Sequence, residues 1–229
     1  MKIIYDIFIP TLLVILLCLL ATKNIKKYAK YYYGLAIGIS GITIAYEIFK
    51  IVSGKKLTGL LYYSERMTMK GFFAIAFFLL VMFAGAINSK WRITKKLMSI
   101  RSEMAILGAI LIIPHVVIYI IQVILRLFDG KVITSMQWIY LIIGLLAVII
   151  MIPLTITSFE SIKNKLKYIK WKSIQRWAYL FLLLIYIHIA IVLLSSKSFN
   201  WIKFTIYTFM FLLYVVLRIN KANSKNETL

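Results

Sequence analysis

Residues 103–127 read EMAILGAILIIPHVVIYIIQVILRL. Between Glu103 and Arg126 no charged side chain interrupts 22 consecutive positions. At 1.5 Å per residue, a helix of that length reaches about 33 Å and spans the roughly 30 Å of a hydrocarbon core. A membrane β-strand needs alternating polarity over some ten residues, and this run is continuously apolar. Similar runs recur along the chain, so spans are expected at 3–22, 31–52, 71–88, 103–127, 136–157, 174–195 and 200–219. The fold class is therefore all-α, a polytopic transmembrane bundle of about seven spans. Six is the alternative, if the first or last run lies in the interface.

Composition agrees. Of 229 residues 62% are hydrophobic, and the mean hydropathy is +0.92. The whole chain, 1–229, reads as one membrane domain. The net charge of +21 comes from short basic clusters between apolar runs, which speaks for topology and anionic lipid rather than nucleic acid. About ten polar residues follow the seventh run, too few for a nucleotide-binding domain. Gly34, Gly38 and Gly41 fall inside the second run, where small residues serve helix packing, so they form no phosphate loop. The single cysteine, Cys18, excludes an intrachain disulfide, a thiolate metal cage and an iron–sulfur cluster. The first run follows Lys2 as a signal peptide would. Asp6, Pro10 and the lack of a small-residue cleavage site favour an uncleaved first helix.

Eighteen of the 28 basic residues fall in loops 23–30, 89–101 and 158–176 and in the C-terminal tail; nine fall on the opposite side. The basic side is cytoplasmic by the positive-inside rule. This puts the N-terminus outside and the C-terminus inside a bacterial cytoplasmic membrane.

His115 and His188 are the only histidines. An imidazole inside a membrane is costly and asks for a function. His115 follows Arg101 by 14 residues, and His188 follows Ser173 by 15. Both runs begin on the cytoplasmic side, so each ring lies roughly 21–22 Å from that edge, in the outer half of the membrane. Two imidazoles at matched depth on co-directional helices suit the two faces of a haem. The plainer reading is that each histidine hydrogen-bonds across helices and binds nothing. Zinc or copper would recruit further ligands, and no acidic residue or cysteine lies at that depth on spans four to six. Gly108, two turns before His115, leaves room for a porphyrin edge, and Pro114 loosens the helix beside the ligand. Arg126 and Lys197 lie beyond the histidines toward the outer surface, where they suit haem propionates or ordinary interfacial snorkelling. Glu47 and Lys50, spaced i, i+3, are expected to pair. No nucleophile–base pair or carboxylate dyad is evident.

One segment runs Pro153-Leu154-Thr155-Ile156-Thr157-Ser158, a basic loop, Trp171-Lys172-Ser173-Ile174-Gln175-Arg176-Trp177-Ala178-Tyr179-Leu180 and then His188. With Arg101 to Gly108 followed by His115, it resembles the ferric reductase-like transmembrane domain. The likeness covers residues 100–195 and is closest to the haem-binding membrane subunit of the bacterial methionine sulfoxide reductase system. The resemblance implies b-type haem on parallel helices, with His115 and His188 at the outer ligand positions. Where that family often carries an inner histidine, this chain has Gln175, and the matching position on span four falls near Arg101 or Ser102. One outer haem and no inner haem are expected. A haem so far from the cytoplasm suits a quinol, or a membrane flavoprotein, as donor and an extracytoplasmic redox protein as acceptor. The expected function is electron transfer by the membrane subunit of an oxidoreductase system. The alternative is a cofactor-free transporter, sensor or assembly subunit.

Overall fold

The computed structural model describes residues 4–196 and 198–226. The regular elements among these residues are helices. Five are long and apolar enough to cross a membrane: Ala29–Ser53, Arg101–Phe128, Ser135–Ile156, Tyr168–Leu194 and Trp201–Ser224. A sixth is counted if Gly59–Met69 and Phe72–Ala86, bent by 51° at their junction, form one broken span. The expected first span is shorter than a full crossing: its apolar helix is Asp6–Leu20, opening with a π-helical turn at Ile4–Phe8. The segment 53–70, expected as a loop, contains a helix.

The membrane domain divides into two compact units, Met1–Val81 with Lys95–Lys131, and Met82–Thr94 with Val132–Leu229. The first holds α1 (Ile9–Leu20), α2 (Thr22–Lys27), α3 (Ala29–Ser53), α4 (Gly59–Met69), most of α5 (Phe72–Ala86), the end of α6 (Arg92–Ser99), α7 (Arg101–Leu111) and α8 (Ile113–Phe128). Within it α3 packs along α7 and α8, and α4 lies on α3 and α8. The face that α3 buries is small and polar: Ala36, Ser40, Thr43 and Glu47. Its exposed positions include Leu35, Ile37, Ile42, Phe49 and Val52. That is the arrangement lipid favours, since tails solvate aliphatic side chains and small residues let helix backbones approach.

Pro114 decides the join of α7 and α8. Lacking an N–H, it cannot donate to the carbonyl of Ile110 four residues back. Ser40 Oγ donates to that carbonyl instead, at 3.0 Å, so the broken ladder is repaired from α3. In the same unit, the carboxylate of buried Asp6 accepts from Arg66 Nε at 3.1 Å and Arg66 Nη2 at 3.2 Å. This bidentate pair ties the N-terminal turn to α4.

The second unit holds α9 (Ser135–Ile156), α10 (Glu160–Lys163), α11 (Tyr168–Arg176), α12 (Ala178–Leu194) and α13 (Trp201–Asn226). α9 and α12 lie side by side, and α12 also meets α13. Thr134 and Gln137 form a reciprocal capping box at the start of α9. Basic residues of α13 serve the last carbonyls of α5: Lys221 Nζ donates to Ile87 O at 2.6 Å, and Arg218 Nη1 to Gly85 O at 3.4 Å. Terminal helical carbonyls lack backbone donors and carry partial negative charge, so cations belong there.

Candidate functional site

His115 occupies the first turn of α8, immediately after Pro114. Its Nδ1 lies 3.2 Å from the carbonyl oxygen of Met69, the last residue of α4. A carbonyl only accepts, so Nδ1 carries the proton and Nε2 carries the lone pair. The carbonyl at the C-terminus of α4 can turn toward α8 because the chain bends at Gly71, whose φ is +73°. A Cβ there would meet Ile112 Cδ1 at 2.7 Å and His115 Cγ at 3.8 Å. Tyr119, one turn along α8, sets its ring 4.7 Å from the imidazole. Lys70 Nζ donates to Tyr119 Oη at 2.6 Å. The bend between α4 and α5 thus supplies three contacts around His115 or its neighbour: the Met69 carbonyl, the Gly71 turn and Lys70.

His188 lies in the middle of α12 and repeats the construction in the second unit. Its Nδ1 is 2.8 Å from the carbonyl oxygen of Tyr140 on α9, which again leaves the lone pair on Nε2. The Tyr140 ring meets the imidazole edge-on, centroids 6.0 Å apart. One turn further along α9, a Cβ at Gly144 would sit 3.0 Å from both Cε1 and Nδ1 of His188. The ring therefore rests in a notch on α9 that only glycine provides.

A neutral imidazole whose far nitrogen is anchored to a carbonyl is the usual form of a histidine metal ligand. The anchor selects the tautomer, orients the ring and raises its basicity. Both histidines meet the chemical requirement of a haem iron. Among the described residues no group of three or more His, Cys, Asp or Glu converges as a metal cage.

Of the other expected positions, Gly108 takes a different role. Gly108 offers no room for a porphyrin edge: a Cβ there would meet Phe78 Cε1 at 2.9 Å and Phe77 Cβ at 3.1 Å. Its smallness is consumed in packing α7 against α5. Arg126 is exposed in the last turn of α8, 11 residues and roughly 16 Å along the axis from His115. Lys197 lies outside the described residues. Gln175 is committed to the C-terminal end of α9, where Nε2 donates to Thr157 Oγ1 at 2.9 Å and Leu154 O at 3.3 Å. Trp171 Nε1 donates nearby to Thr157 O at 3.0 Å.

Lys50 pairs with Glu47 as their spacing implies. The reading that no carboxylate dyad exists is corrected here, because the carboxyl of Glu65 on α4 meets that of Glu47 on α3. Eighteen residues and a turn separate them in the chain, so no local pattern announces the encounter. Met69, Gly71, Tyr119, Tyr140 and Gly144 were also absent from the sequence reading. Two act through backbone carbonyls and two through having no side chain. Proximity to a turn ahead of an apolar run was the one available hint, and only for Gly71.

Comparison with known proteins follows the same region. The family model described as ferric reductase like transmembrane component matches residues 70–186, just over half of the chain. The match includes α5 and His115 and stops two residues before His188. An uncharacterized protein of Treponema pallidum (strain Nichols) is 29% identical over 222 residues, covering 93% of this chain and 59% of its own length. The chain thus spans about three fifths of that relative. No solved structure matches.

Proposed function

The chain belongs to the family of ferric reductase like transmembrane components, and on that premise we propose that this membrane redox subunit binds one haem b through His115 and His188. The observation that carries the reading is the matched anchoring of the two imidazoles. Each presents its Nδ1–H to a backbone carbonyl of a helix earlier in its own unit, Met69 O in one and Tyr140 O in the other. One such bond would also serve a plain helix cross-link; what favours a ligand is that the same arrangement occurs at both histidines. Here two separate helices enforce the same tautomer at the same depth in the sequence register.

When bound, haem supplies reversible one-electron chemistry. The chain's own part is to position and tune. The Met69 and Tyr140 carbonyls draw on the Nδ1 protons and make each Nε2 a stronger donor. Gly144 lets the Nδ1–Cε1 edge of the His188 ring sit close against α9, and the Gly71 turn sets the Met69 carbonyl toward His115. Tyr119, held by Lys70, restricts rotation of the His115 ring. Gln175 stands where the family often carries a further histidine and, with Trp171, binds the end of α9 instead, which supports a single haem. Donor and acceptor follow from depth: a quinol or membrane flavoprotein delivers electrons, and an extracytoplasmic redox protein receives them. The distribution of basic loops supports a C-terminus inside a bacterial cytoplasmic membrane and, with the short helix Asp6–Leu20 counted as a crossing, an N-terminus outside.

The test is the visible spectrum of the full chain purified from haem-replete cells. One haem per chain is expected, with a Soret band that shifts on reduction and is lost in both His115→Ala and His188→Ala. A colourless protein, or a spectrum unchanged in both variants, would overturn the reading and leave a cofactor-free membrane protein.

A further inference from the structure

Glu47 and Glu65 have no part in the haem site as described. Glu47 is 1% exposed. One of its oxygens is paired with Lys50; the other, Oε2, is buried with no hydrogen-bond donor in place, as is Oε1 of Glu65. The two carboxyl groups face each other across α3 and α4. Ionised carboxylates only accept hydrogen bonds, so two of them in contact repel and leave their inner oxygens unsatisfied. A single proton between them removes both faults, making one acid the donor and the other the acceptor. It also balances the charge: the pair then carries one negative charge against the positive charge of Lys50.

We propose that buried Glu47 and half-buried Glu65 form a proton-binding site that exchanges a proton with each electron delivered beside His115. The coupling path is short. Glu65 stands one helical turn before Met69 on α4, about 6 Å along the axis, and the Met69 carbonyl holds His115. Negative charge arriving at a group bound to His115 favours a second proton on the pair. One proton from the aqueous phase adds to the remaining carboxylate as one electron arrives from a quinol-class donor, and it leaves when that electron moves on. The coupling half of this inference rests on the haem reading; the shared proton does not.

The surrounding groups are countable. On α3 they are Tyr46, whose ring lies under Lys50 Nζ, and Tyr33. α4 adds Tyr62, Tyr63 and Arg66, the last engaged with Asp6 of the N-terminal turn. Lys70 follows α4 and acts on Glu65 through space. α7 carries Arg101 and Glu103, and α8 carries His115, Tyr119 and Arg126. Lys50 and Lys70 are the cations that act on the pair directly.

Infrared spectroscopy of the full chain in lipid tests the site. Near neutral pH a C=O stretch of a protonated carboxylic acid is expected. It should shift when glutamate carboxyl carbons are carbon-13 labelled, and vanish in Glu65→Gln, where Glu47 is left ionised against Lys50. A missing band in the unaltered protein, or a band that survives both Glu47→Gln and Glu65→Gln, overturns the shared proton whatever the variants' stability. Redox titration of the haem-loaded chain tests the coupling. The potential should fall as pH rises, with the slope lost in Glu47→Gln; a slope retained in that variant overturns the coupling. Absence of haem would strike the proposed function and leave the infrared result standing.

Discussion

Gly144→Ala isolates the notch that holds His188. The new methyl would sit 3.0 Å from Cε1 and Nδ1 of the imidazole, whereas ordinary contact begins at 3.4 Å. The ring must retreat by about 0.4 Å, which stretches its 2.8 Å bond to Tyr140 O toward roughly 3.2 Å, the weak end of the N–H···O range. Overpacking of a helix interface costs about 1–3 kcal/mol. Alanine recovers roughly 1 kcal/mol of helix propensity. The net expectation is a loss of up to about 2 kcal/mol in stability. Haem affinity should fall some 10–100-fold, as for other residues that support a metal-bound histidine. Gly38→Ala is the internal control, because nothing lies within 4 Å of a Cβ there; it should gain up to about 1 kcal/mol. The measurements are thermal unfolding in detergent and haem retained after purification. If Gly144→Ala behaved like Gly38→Ala in both, the fit of His188 against α9 would not matter and the argument for a built ligand site would fail.

Three further outcomes follow from the packing. Ser40→Ala strands the Ile110 carbonyl that Pro114 leaves without a donor and should cost about 1–3 kcal/mol by thermal unfolding; Ser40→Ala combined with Pro114→Ala should recover much of it, and no recovery would reject the repair. Arg66→Met leaves the Asp6 carboxylate, 2% exposed, without its cation and should cost about 3–5 kcal/mol, whereas Asp6→Asn with Arg66→Met should be milder; equal losses would show that the ion pair is not what joins the N-terminal turn to α4. Gln175→Ala should loosen the junction of α9 and α11 and raise protease sensitivity between residues 158 and 171, with haem content unchanged; a fall to zero haem would mean that Gln175 serves the cofactor.

Some features are read from the chain directly because they depend on local composition. Uncharged runs such as 104–125 define helices, since a backbone in hydrocarbon must satisfy its own hydrogen bonds. A lone pair of histidines in such runs stands out by cost alone. The pairing of Glu47 with Lys50 follows from helical periodicity. The first run misled because apolar length does not show whether a helix will be anchored sideways, and buried Asp6 finds its partner 60 residues away at Arg66. The segment 53–70 reads as a connection between two apolar runs, and two of its ties, Arg66 to Asp6 and Lys70 to Tyr119, come from partners distant in the chain.

Tertiary structure alone settles how each imidazole is held. The acceptors for His115 and His188 are main-chain carbonyls, which every residue possesses and no sequence pattern marks. The notch at Gly144 and the filled face at Gly108 differ only in which side chain arrives opposite, His188 in one case and Phe78 in the other. Glycine announces that space is wanted, and packing decides what takes it. The meeting of Glu47 with Glu65 has the same origin, since a turn between two helices carries half-buried Glu65 back onto buried Glu47.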